Sequence, residues 1–273
     1  MIDGNQVPKL PEPPPPTQPV ISPLITSWGT SVTPENAWTE YPRPQLERKG
    51  WTNLNGLWDY SITENTDSKP TQWGGKILVP YPIESKLSGV QRLLLPKETL
   101  WYHRTFQLEK ALSGRLLLNF EAVDYQCQVF VNDQRVGEHK GGNDPFTVDV
   151  TNSVKVGPNS LVVRVQDATG GAQLRGKQRL RPQGIWYTRV SGIWQTVWLE
   201  QVAERSIENV TVKTDAKTGS VSISARLRGK EVQGEQLSTT VIDGDSVVGS
   251  AMGNNPQLTI QNPKRWSPSN PHL

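Results

Sequence analysis

Residues 131–150 read VNDQRVGEHKGGNDPFTVDV and residues 191–200 read SGIWQTVWLE. The first places a strand end at Val131, a turn at Asn132-Asp133, a short return strand through Val136 and a glycine pair at Gly141-Gly142. Pro145-Phe146 then feeds an alternating strand through Phe146, Val148 and Val150. The second alternates Ile193, Gln195, Val197 and Leu199 against Trp194, Thr196 and Trp198, the period-two pattern of a strand rich in β-branched and aromatic residues.

Working outward, the same pattern recurs. Strands are predicted at Leu57–Ile62, Lys76–Pro80, Trp101–Leu108, Arg115–Val123, Tyr125–Val131, Phe146–Val150, Ser160–Gln166 and Gly192–Glu200. In Ser160–Gln166, Leu161, Val163 and Val165 face one way, and Val162, Arg164 and Gln166 the other. Turn residues such as Ser113-Gly114 and Gly157-Pro158-Asn159 separate them. Many short strands with non-hairpin connections describe a jelly-roll β-sandwich. After Val202 the spacing of Ile207–Thr214, Ser220–Arg228, Leu237–Ile242, Ser246–Ala251 and Gln257–Gln261 fits an immunoglobulin-like sandwich. Such a sandwich takes about 100 residues, so this second one is expected to be incomplete at Leu273. The fold class is therefore all-β, a jelly roll followed by an incomplete immunoglobulin-like β-sandwich. The expected division is 1–27 as a proline-rich disordered tail with PEPPPP at Pro11–Pro16, 28–203 as the jelly roll, and 204–273 as the second sandwich.

Composition narrows the function classes. The 273 residues carry a net charge of +3, too small and too scattered to indicate a nucleic-acid partner. The single cysteine, Cys127, rules out an internal disulfide and reads as a small buried residue, and three dispersed histidines match no metal spacing. Neither a cofactor nor a metal is expected. No window approaches the roughly 18 apolar residues of a membrane span, and no signal peptide is visible, which favours the cytoplasm over export.

Two long segments break the strand pattern. Tyr81–Thr99 reads as a surface loop whose polar residues are Glu84, Gln91 and Arg92. Asp167–Arg189 holds Arg175, Lys177, Arg179, Arg181 and Arg189, a basic run that suits either a uronate or sulfate ligand or a solvated loop pairing with a neighbouring domain. Glu121 with Asp124, and Asp144 with Asp149, are the nearest carboxylate pairs. Odd spacing along a strand sends their side chains to opposite faces, and turn capping and solvation account for them.

The two opening stretches, with YPRPQLERKGWTNLNGLWDY at Tyr41–Tyr60, VPYPIESKLSGV at Val79–Val90, LWYHRTF at Leu100–Phe106 and RWSPSNPHL at the C-terminus, resemble the front of glycoside hydrolase family 2. That resemblance implies a galactose-binding-like sugar-binding jelly roll and an immunoglobulin-like domain. In the family these precede a (β/α)₈ barrel whose two glutamates cleave β-linked sugars, as in β-galactosidases and β-glucuronidases. No strand-helix alternation for a barrel is present, so no catalytic residue is expected in this chain. The implied role is to orient the barrel and contribute loop residues to one wall of its sugar site. The implied partners are a β-glycoside and a C-terminal barrel, with a homo-oligomer left open. In several members an aspartate lies five residues before the serine or alanine of the SGI-type motif. Counting back from Ser191 lands on Trp186. An indole there either stacks on a pyranose face or packs within its own surroundings. Trp186, Tyr187 and Arg92 are the candidate substrate-binding residues, and their aromatics equally suit a stand-alone carbohydrate-binding module. A structural or assembly role is the third reading.

Overall fold

The computed structural model describes residues 24–64 and 68–272. The proline-rich tail up to residue 23, and Leu273, lie outside the described residues. Within them the fold is all-β, with short 3₁₀ turns and no α-helix, and no helix is long and apolar enough to cross a membrane. The strands are β1 Trp51–Asn53, β2 Gly56–Glu64, β3 Gly75–Val79, β4 Glu98–Leu108, β5 Arg115–Phe120, β6 Val123–Asp124, β7 Gln126–Val131, β8 Gln134–Lys140, β9 Phe146–Asp149 and β10 Gly157–Gln166. They continue with β11 Gln178–Arg179, β12 Tyr187–Thr188, β13 Gly192–Ile193, β14 Val197–Val202, β15 Ser206–Asp215, β16 Ser220–Arg228, β17 Leu237–Asp243, β18 Ser246–Gly253 and β19 Gln257–Thr259.

The jelly roll is built on a six-stranded sheet of order β3-β2-β4-β10-β7-β8 and a four-stranded sheet of order β1-β14-β5-β9. At its centre β10 pairs antiparallel with both β4 and β7, so that Val163 faces Tyr102 on one side and Val129 on the other. Leu161 to Val165 are all buried, on both faces of the strand. Arg164 is among them, its guanidinium 5.8 Å from the Trp101 ring centroid. Trp58, Leu100, Tyr102 and Val129 from the larger sheet, and Leu118, Phe120, Val197 and Trp198 from the smaller, fill the core. Two of the buried indoles donate within the core: Trp58 Nε1 to the Leu54 carbonyl at 2.8 Å, and Trp101 Nε1 to Thr63 Oγ1 at 3.0 Å.

The Asn132-Asp133 turn has φ of 51° and 65°, as a two-residue hairpin between β7 and β8 requires. Its return strand runs on to Lys140, past the Val136 limit read from sequence. Two other expectations change more. SGIWQTVWLE is not one strand: β13 pairs with β6, β14 lies in the four-stranded sheet, and Trp194–Thr196 between them is irregular. The break follows from bonds that leave the ladder, with Trp194 N donating to the Ala122 carbonyl, the Thr196 carbonyl accepting from Glu121 N, and Trp194 Nε1 donating to the Gly142 carbonyl. Nor is Tyr81–Thr99 a surface loop throughout. Ile83, Glu84, Leu93 and Leu94 are buried, because the loop is drawn inward by Glu84, and β4 already begins at Glu98.

The chain divides into two compact units. One takes in the residues up to Glu40, Thr52–Ala111 and Leu117–Leu199; the other takes Tyr41–Trp51, Leu112–Leu116 and Glu200–Leu273. The second unit holds a three-stranded sheet, β15-β16-β19, and the β17-β18 hairpin. Within it Glu200 is fully buried and held by Arg43 at 2.9 Å, Arg48 at 2.6 Å and the Tyr41 hydroxyl. The Tyr41–Pro44 stretch is thus fastened by side chains and not by a ladder.

Candidate functional site

The two long segments meet in the jelly-roll unit over a buried ionic network. Ser191 N donates to Glu84 Oε2 at 3.0 Å, Ser191 Oγ donates to Asp167 Oδ2 at 2.8 Å, and Arg189 pairs with Asp167 at 2.7 Å and with Glu84 at 3.8 Å. Arg189 Nε also donates to Ser191 Oγ at 3.0 Å. Asp167 further accepts from Thr169 N at 2.8 Å and from Gln173 Nε2 at 2.6 Å. Glu84, Asp167, Arg189 and Ser191 are all buried. One arginine thereby ties the 81–99 segment to both ends of the 167–190 segment. Arg189 was grouped by sequence with a solvated basic run, and burial overturns that reading for this one residue.

Asp124 joins Glu84 and Asp167 as a buried carboxylate of the jelly-roll unit, 2% exposed. It is not a solvated turn residue as its sequence context suggested, because Gly142 lies over it so closely that a β-carbon there would stand 2.5 Å from the carboxyl group. The glycine at 142 has a structural reason that sequence left open. The alternation argument for the carboxylate pairs also lapses, since β5 ends at Phe120 before Glu121 and Asp144 precedes β9.

Over this network the two segments border a cleft of about 670 Å³. Leu95, Pro96 and Lys97 line one side; Ala168–Gly171, Arg175, Arg179, Leu180, Arg181 and Gln183 line the rest. Among the described residues no carboxylate lines it, whereas glycoside hydrolysis usually takes two. Among the described residues no group of His, Cys, Asp and Glu is placed to hold a metal ion.

Of the residues singled out from sequence, Trp186 and Tyr187 come together beside this cleft. Trp186 is 38% exposed and lies under the Arg179 guanidinium, 3.9 Å from its ring centroid. Tyr187 is 55% exposed, and Tyr187 N donates to the Lys177 carbonyl in the short parallel β11-β12 pairing. Arg92 does not join them: it turns back on Glu98 of its own segment at 2.5 Å. The residues that sequence reasoning missed are Glu84, Asp124 and Asp167 as buried charges and Lys97 as a lining cation. The departure of the loops from strand periodicity was the available signal.

The sequence pattern described as glycosyl hydrolases family 2, sugar binding domain, matches residues 51–202, and that of glycosyl hydrolases family 2 matches 188–273. The chain belongs to glycosyl hydrolase family 2. It is similar to a β-galactosidase of Thermoanaerobacter pseudethanolicus, 30% identical over 188 residues that cover 63% of this chain and 25% of that protein. A Paenibacillus borealis β-glucuronidase is 21% identical over 254 residues, 85% of this chain and 42% of that protein. The solved structure of Lactobacillus rhamnosus β-glucuronidase shares the fold with a TM-score of 0.67 at 23% identity, over 84% of this chain and 41% of that one. This family 2 chain thus spans from about a quarter to under half the length of these relatives.

The buried carboxyls give the family 2 chain a pH-dependent stability. Burial pushes Glu84 up to about 7 against the opposing pull of Arg189, and burial together with the Asp167 charge pushes Asp124 up to about 7. Unfolded, the two groups titrate near 4.5 and 3.8. Between those values and about 7 the folded chain keeps protons that the unfolded chain has lost, so stability falls as pH rises through this window and levels off above it. The expected result is a higher urea midpoint near pH 5 than near pH 8. A midpoint higher at pH 8 would contradict the assignment.

Proposed function

We propose that this chain is the non-catalytic front of a β-galactosidase-like glycosidase, where it orients a catalytic barrel and lines one side of its sugar site. The observation that carries the reading is the aromatic edge of Trp186 and Tyr187, exposed on a segment that Arg189, Asp167 and Glu84 anchor to the sandwich. An exposed indole on an anchored loop offers a flat apolar surface to a pyranose ring at small cost in lost side-chain freedom. The relatives named β-galactosidase and β-glucuronidase support a β-linked sugar as the ligand.

The test joins this chain to a family 2 catalytic barrel and measures aryl β-galactoside and β-glucuronide hydrolysis with and without Trp186→Ala. The 273-residue chain alone should give no turnover. In the joined protein Trp186→Ala should raise KM by about tenfold, the effect of losing one stacking contact. Unchanged kcat and KM would rule out Trp186 as part of the sugar wall. Exposed Trp186 and Tyr187 also suit a stand-alone carbohydrate-binding module, which is the better reading if the chain by itself binds β-linked oligosaccharides saturably.

A further inference from the structure

We infer that the cleft between Leu95–Lys97 and Ala168–Gln183 binds the oxyanion of an acidic saccharide, a carboxylate or a sulfate ester. The inference rests on the reading that this edge meets carbohydrate, and it adds the chemical class of the ligand.

Charge balance is the first observation. Four cations, Lys97, Arg175, Arg179 and Arg181, line the cleft, and no acid is among the described residues of its walls. Among the described residues none of the four is in an ion pair, in contrast to Arg43, Arg48, Arg189 and Arg205, each of which holds a carboxylate. The three arginines are half-buried, which deprives them of part of their hydration without a protein counter-charge. Asp167, the one acid at the start of this segment, is committed to Arg189 beneath and supplies no neutralisation.

Preorganisation is the second. Arg175 is fixed by donating to the Thr169 carbonyl, and Arg179 is held over the Trp186 ring while donating to the Gln178 carbonyl at 3.3 Å. A guanidinium held in place presents its N–H fork to an oxyanion with two parallel bonds, a geometry that carboxylate and sulfate share. The rest of the wall suits a sugar attached to that anion. Leu95, Pro96 and Leu180 are apolar, and Gly170-Gly171 leave the backbone open, with nothing within 4 Å of where a side chain of Gly171 would begin. A ligand with one charged group and an apolar ring face matches both parts.

Isothermal titration of the 273-residue chain in low-salt buffer tests this with four probes: methyl β-glucuronide, galactose 6-sulfate, methyl β-galactoside and inorganic sulfate. One or both acidic sugars should saturate, at least about tenfold more tightly than the neutral glycoside and than inorganic sulfate, the expected worth of one charge-assisted bond. Which acidic sugar binds tighter identifies the source of the oxyanion. Arg181→Ala should weaken that binding by about tenfold with an unchanged melting temperature. If that variant melts early, Lys97→Ala on the opposite, exposed wall gives the same readout. Inorganic sulfate matching the acidic sugars would make the cleft a bare anion site and overturn the inference. Equal binding of neutral and acidic sugars, insensitive to Arg181, would overturn it while leaving the sugar-wall reading intact. No saturation by any probe would also overturn it, and the Trp186 kinetics in the joined protein would then decide that broader reading separately.

Discussion

Replacing Gly192 with alanine is expected to destabilise the chain by on the order of 4 kcal/mol, a large share of the roughly 5–15 kcal/mol by which a domain is ordinarily stable. Two effects add. Gly192 has a φ of +84°, a region that costs an L side chain roughly 1–2 kcal/mol. A β-carbon there would also stand 1.9 Å from the Tyr102 hydroxyl and 3.0 Å from Leu100 Cδ2. Tyr102 has no room to yield: it is fully buried, its hydroxyl accepts from Ile193 N at 3.1 Å, and burial holds its ionisation well above the usual tyrosine range. Gly89→Ala separates the two effects, since its φ is +79° with nothing within 4 Å of the added carbon. Urea titration should show Gly89→Ala losing about 1 kcal/mol and Gly192→Ala several times that. Equal losses would mean that Tyr102 is not pinned.

The second large effect is expected at Arg189. Arg189→Met keeps much of the side-chain volume but strands Asp167 and Glu84 in the interior, a loss of about 3–5 kcal/mol at neutral pH. The charge of Arg189 opposes the rise of both Glu84 and Asp124, so its removal should push those carboxyls further up. Part of the lost stability is then recovered at pH 5, and the pH dependence becomes steeper than in the parent chain. Glu84→Gln should behave oppositely. Its single amide oxygen accepts from Ser191 N or from Leu94 N but not from both, since the two bond to different oxygens of Glu84, and it has no titrating carboxyl there, so the stability of this variant should vary less between pH 5 and pH 8. A parent-like pH profile in Arg189→Met would contradict the network as described.

How far sequence carries toward these features differs by element. β10 was legible because Leu161, Val163 and Val165 alternate within one local window and need no information from elsewhere. The all-β class and the Asn132-Asp133 turn were legible for the same reason, whereas Trp186 was singled out only through the family resemblance, by counting back from Ser191. The break at Trp194–Thr196 was not legible, because it is imposed by Glu121, Ala122 and Gly142, which sit about fifty to seventy-five positions earlier and leave no local mark. The ionic network was hidden for a related cause. Glu84, Asp167 and Arg189 lie in three separate segments, and a single chain does not state which charges meet. Arg189 stands in a run with four other cations, yet its fate is opposite to theirs. Only the closure of both segments on Ser191 distinguishes it.

The fastening of Glu200 by Tyr41 and Arg43 has a consequence for the order in which the chain matures during synthesis. These partners are 159 and 157 positions apart. At about 5–20 residues per second, roughly 8 to 30 seconds separate the emergence of Tyr41 from that of Glu200. Throughout that interval the Tyr41–Trp51 stretch has left the ribosome while its own unit does not yet exist. A nascent piece that stops before Glu200 therefore carries Tyr41, Arg43 and Arg48 without the carboxylate they share. Among the earliest residues to be made, these are among the last to be locked.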